Sequence, residues 1–120
     1  MNNKNGNIVY EKSFSFAIRI INLYKYLCNE KKEYILSKQV LRSGTSIGAN
    51  ISESLRAQSK KDFIAKMHIA FKEAGETEYW LQLLVATQYV KQEFGQSLLT
   101  DLDEIIKILS SIIKTAKQNS

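Results

Sequence analysis

The sequence predicts an all-α protein, an antiparallel up-down-up-down four-helix bundle. Three observations carry this. Apolar residues recur at helical spacing through nearly the whole chain, and period-two alternation is nowhere sustained. None of the 120 residues is a proline, so no helix is interrupted. The gaps between periodic segments are short, which makes consecutive helices antiparallel neighbours. A chain of this length, 44% apolar, suits one domain with one core. That domain is expected over residues 10–120, after a flexible polar tail at 1–9.

The first helix is expected over residues 10–30. Its stripe reads Phe14, Ala17, Ile18, Ile21, Tyr24 and Cys28, flanked by Phe16, Ile20, Leu23 and Leu27, and Asn29-Glu-Lys-Lys32 ends it. The lone cysteine, Cys28, reads as a small core residue, and its use suits a reducing compartment. The second helix is expected over 33–57, with Val40, Gly44, Ile47, Ile51 and Leu55 on one buried face. Ser59 followed by Asp62 resembles a capping box and starts a third helix near Lys60. That helix should run to 89, with Phe63, Met67, Ala70, Ala74, Thr77, Leu81 and Leu84 inward. Gly95 marks the next turn. A fourth helix over 96–117 buries Leu98, Leu102, Ile105, Leu109, Ile112 and Ala116. Its early Asp101, Asp103 and Glu104 and late Lys114 and Lys117 complement the helix dipole.

The charge is uneven. Seventeen Lys/Arg against twelve Asp/Glu give +5. Residues 1–58 hold nine basic and four acidic groups, whereas 59–120 hold eight of each. The excess therefore lies in the first half, where it could attract nucleic acid, an anionic membrane or an acidic protein. The chain has no apolar run near the roughly 20 residues of a membrane span, and its start does not resemble a secretory leader. A cytoplasmic protein is expected.

Two features exceed what a plain bundle needs. The second helix carries Ser43-Gly-Thr-Ser-Ile-Gly-Ala-Asn-Ile-Ser52, poor in helix formers. Gly44 and Gly48 face the core side and would let a neighbouring helix approach closely. Opposite them, Lys38, Arg42, Thr45, Ala49, Ser52 and Arg56 lie within about 40° of one line. With Lys60 and Lys61 at the following turn, Lys38, Arg42 and Arg56 form a candidate phosphate-binding face. The third helix is apolar on more than its core side. Ile69, Tyr79, Trp80 and Leu83 are the candidate contacts of a homo-oligomer.

Catalytic and metal chemistry finds no support. His68 is the only histidine, no Glu-x-x-His pair exists, and no Cys/His cluster has zinc spacing. Glu73 and Glu76 read as salt-bridge partners. Ser111-Ile-Ile-Lys114 lacks the companion motifs of a Ser-x-x-Lys enzyme. No cofactor or metal is expected, and the chain reads as a non-enzyme.

Residues 36–53, LSKQVLRSGTSIGANISE, are distinctive, as are Ser59-x-x-Asp62-Phe63 and Ala70-x-Lys-Glu-Ala-x-Glu76-Thr-x-Tyr79-Trp80-Leu81. These segments resemble the four-helix-bundle family named after the intervening sequences of 23S rRNA genes, some members of which are labelled S23 ribosomal proteins. The similarity covers about residues 12–115, and its marked positions are Arg42, Ser43, Gly44, Ser46, Asn50 and Glu53. The resemblance implies a homopentameric ring. A related accessory protein of diversity-generating retroelements forms a similar pentamer with a basic surface and works with a reverse transcriptase and RNA. The expected function is binding of structured RNA or other nucleic acid. The alternative is an adaptor ring that presents surfaces to a protein partner.

Overall fold

The structure, a computed structural model, describes residues 4–119 in four helices: α1 (Lys4–Asn29), α2 (Leu36–Ser54), α3 (Lys60–Ala86) and α4 (Gln92–Gln118). Each packs on two others, in the cycle α1–α2–α3–α4–α1, and among the described residues neither diagonal pair of backbones comes close. The result is the expected up-down-up-down bundle, 47 × 22 × 18 Å. A 27-residue helix rises about 40 Å, so α3 and α4 run almost its full length.

α1 departs most from expectation. Its core line is Val9, Ser13, Phe16, Ile20, Leu23 and Leu27. Phe14, Ile18 and Ile21, expected inward, are exposed; Phe14 is 56% accessible. Ala17, Tyr24 and Cys28 are half-buried. The helix is apolar on two adjacent faces, and periodicity cannot rank them. The partner helix does: a Cβ on Gly44 would lie 2.9 Å from Ile20 Cγ2, and one on Gly48 3.1 Å from Ser13 Oγ. The face that fits the groove of α2 is the buried one. α1 also starts at Lys4, so residues 4–9 of the expected tail are helical. Val9 is fully buried, and Gly6 sits against Leu55. Packing there overrides the poor propensity of Asn and Gly. Residues 1–3 of that tail, and Ser120, lie outside the described residues.

The turns follow from local hydrogen bonds. Lys32, at φ 54°, closes the α1–α2 turn. Glu33 does not enter α2; its carboxylate accepts the Ser37 N–H at 2.7 Å and the Ile35 N–H at 3.3 Å. A side chain capping from four residues upstream explains why α2 begins at Leu36. α3 starts as expected, with Ser59 Oγ accepting the Asp62 N–H at 3.0 Å. It ends in a Schellman arrangement in which Gln88, at φ 69°, takes the position usually held by Gly. The Tyr89 N–H reaches Leu84 O and the Gln88 N–H reaches Val85 O, both at 3.0 Å.

Gly95 is therefore not the turn. It is buried in the first turn of α4, where a Cβ would come 2.2 Å from Val85 Cγ2. Its role is close approach of α4 to α3. Along α4, Leu98, Leu102, Ile105 and Leu109 are buried as expected, and Ile113 is more buried than Ile112.

Candidate functional site

α2 is helical through its Ser/Thr/Gly-rich stretch because it is packed between α1 and α3, and its polar side chains bond back to the helix. Thr45 Oγ1 donates to Leu41 O at 2.8 Å, Ser46 Oγ to Arg42 O at 2.7 Å, and Asn50 Nδ2 to Ser46 O at 2.9 Å. These groups need no outside partner. The two glycines face α1, so the opposite stripe faces outward. Lys38, Arg42 and Ala49 are exposed on it, with Thr45 and Ser52 half-buried beside them; Arg56, expected on the same line, is exposed in the turn beyond the end of α2 at Ser54. The surface between the cations is thus low and already hydrogen-bonded.

The five candidate phosphate contacts do not have equal freedom. Lys38, Arg56 and Lys61 are exposed and make no ion pair among the described residues. Lys60 Nζ donates to the Asn119 carbonyl, tying the start of α3 to the end of α4. Arg42 is committed to α3. Its Nη2 lies 2.6 Å from Glu76 Oε2 and 3.2 Å from Glu73 Oε1.

The Trp80 indole N–H donates to the same Glu76 Oε2 at 3.1 Å. That bond first, and the Arg42 guanidinium second, hold the Glu76 carboxyl below its ordinary range. The two carboxylates in turn raise the pKa of Arg42, with Glu76 the larger influence. Two carboxylates around one guanidinium leave the cluster with a net charge of about −1, so the basic stripe is broken at its middle. Beneath the cluster, the buried Ser43 and Thr77 hydroxyls are hydrogen-bonded at 2.9 Å.

The candidate oligomer contacts divide as well. Tyr79 (57% accessible) and Ile69 are exposed. Leu83 is half-buried. Trp80 is half-buried against the core, edge-on to Tyr79 with ring centroids 5.1 Å apart. The sequence reading expects Glu73 and Glu76 to be salt-bridge partners, as they are, but does not identify Arg42 of α2 as their cation. It also missed the outward apolar face of α1.

No helix among the described residues is long and apolar enough to cross a membrane. Nor do any three His, Cys, Asp or Glu side chains among those residues form a group that could hold a metal ion.

Comparison with known proteins fixes the family. A crystal structure of a protein with unknown function, from the S23 ribosomal protein family of Bacteroides thetaiotaomicron, is similar to this chain with a TM-score of 0.91. The two sequences are 59% identical, over 92% of this chain and 98% of that one. No curated protein matches the sequence. The 23S rRNA-intervening sequence protein family matches residues 5–111, nearly the whole bundle, and this chain belongs to that family.

Proposed function

We propose that the protein is a non-enzymatic, oligomeric helical bundle that binds structured RNA through the outward face of α2. One observation carries the reading: Lys38 on α2, Arg56 in the turn after it and Lys61 in the first turn of α3 stand exposed and make no ion pair among the described residues, and the side chains at 45, 49 and 52 on the outward side of α2 are small. Free ammonium and guanidinium groups release counterions when they meet phosphates. Arg42, paired with Glu73 and Glu76 of α3, is not a phosphate contact in this reading.

Self-association enlarges the face. The chain has exposed apolar groups on α3 (Ile69, Tyr79) and on α1 (Phe14, Ile18, Ile21), two helices diagonal in the bundle. Two different patches on opposite sides of one subunit suit head-to-tail contacts, which close into rings. A ring would repeat the basic face and add avidity.

The test is fluorescence anisotropy with a labelled RNA hairpin, on protein sized by light scattering. Binding should fall steeply with salt, because each neutralised phosphate adds to the slope. The triple variant Lys38→Glu, Arg56→Glu, Lys61→Glu should lose at least about tenfold in affinity with its helicity intact. Affinity unchanged by the triple variant would remove the α2 face from the interface. Binding to a protein partner with a shallow salt dependence, and none to RNA, would favour the adaptor.

A further inference from the structure

Two clefts lie along the seam between α1 and α4, and they differ in charge. One, of about 290 Å³, is lined by Glu11, Lys12, Ser15, Phe16, Asp101 and Glu104, three acids against one lysine. The other, of about 350 Å³, opens at the end of the bundle that carries the α1–α2 and α3–α4 turns. Its lining is Asn22, Leu23, Tyr26, Lys91 and Phe94, mainly apolar and with no acid. A volume near 350 Å³ falls in the range of small-molecule clefts.

The second cleft has two exposed rings, and each already attracts a cation. Phe94 is 43% accessible and Tyr26 39%. The Arg19 guanidinium carbon lies 5.5 Å from the Phe94 centroid, and Lys31 Nζ lies 5.9 Å from that of Tyr26. Arg19 is also paired with Asp101 at 2.6 Å. Lys91 lines the cleft and makes no ion pair among the described residues.

We infer that this cleft takes one unpaired base of an RNA strand, with the adjoining phosphate on Lys91. An apolar peptide side chain would use the rings but has no need of the rest. A nucleotide uses every group present: a π-face for Tyr26 or Phe94, a polar edge for the Asn22 amide, and an anion for Lys91 and Lys31. The acidic cleft on the same seam lacks this complement. The inference rests on the RNA-binding reading and deepens it, since the α2 face would hold duplex backbone and the cleft a flanking unpaired nucleotide.

The first experiment titrates the full-length protein with AMP, with adenosine and with inorganic phosphate, followed by NMR. AMP should shift the Asn22 side-chain amide and the Tyr26 and Phe94 ring signals. Inorganic phosphate alone should leave the rings unmoved. Tyr26→Ala with Phe94→Ala should abolish the AMP shifts, and Lys91→Ala should weaken AMP but not adenosine. Both rings are exposed, so the fold should survive; circular dichroism checks this. No shift at millimolar AMP, or equal shifts with phosphate, would overturn the inference.

The second experiment compares a blunt RNA hairpin with the same hairpin bearing an unpaired tail. The tail should add about tenfold in affinity, one stacked base, and the ring variants should erase only that gain. Blunt binding with no gain from the tail would sink the cleft and leave the α2 reading standing. AMP shifts in the cleft without any blunt-hairpin binding would do the reverse.

Discussion

The seams that α2 makes and the seam between α1 and α4 are built differently. α2 meets α1 through Gly44 and Gly48 with little room for a Cβ, and it meets α3 through a buried hydroxyl pair beneath an ionic clamp. α1 and α4 are joined at the surface by Lys12–Glu104 at 2.9 Å and Arg19–Asp101 at 2.6 Å, and both clefts open along that line. Buried polar pairs and backbone contact fix register, because any slip strands a group or forces a clash. Ion pairs as exposed as these, the Arg42 clamp included, contribute little, so the glycine contacts and the hydroxyl pair set the register of α2. The molecule thus keeps one side rigid and leaves recesses on the other.

The sharpest way to break this contrast is Gly44→Val. The new side chain would drive into Ile20, which is fully buried, and should cost about 3 kcal/mol in urea denaturation. Ile20→Ala in the same chain should recover part of that loss. Recovery failing altogether would mean the contact is not what limits α2.

A smaller effect is expected from Thr77→Val, which strands the Ser43 hydroxyl in the core at a cost of about 2 kcal/mol. Adding Ser43→Ala should restore most of it, because removing both partners leaves nothing unsatisfied. Additive losses in the double mutant would show that the pair is not coupled.

The α1–α4 ion pairs should give the smallest effect. Lys12→Ala with Arg19→Ala should lower stability by less than about 1 kcal/mol per pair, and less again in high salt. A loss as large as that from Thr77→Val would erase the distinction between the seams.

The same contrast separates what the sequence made legible from what it did not. The main apolar lines of α2, α3 and α4 are buried as their spacing implies: Val40, Ile47 and Ile51, the stripe from Phe63 to Leu84, and Leu98, Leu102, Ile105 and Leu109. α1 has two such lines, and only its docking against Gly44 selects one. Gly95 looked like a turn because composition cannot tell a glycine needed for φ from one needed for proximity to Val85. At the candidate site, the outward stripe of α2 was readable by angle. The pairing of Arg42 with two carboxylates from α3 was not, since it depends on the relative height of two helices. The aromatic cleft was harder still: Tyr26 and Phe94 come from the first and last helices, each ordinary in its own segment.

The cyclic order of the helices also has a direction in time. Three of the four seams join helices consecutive in the chain, and the fourth joins the first to the last. A ribosome delivers α1, α2 and α3 before α4. Until α4 arrives, the flank of α1 that carries Lys12 and Arg19, and the groove of α3 beside Val85, face water together. α4 is the lid of this bundle during synthesis, and the recessed seam it makes with α1 is the last one closed.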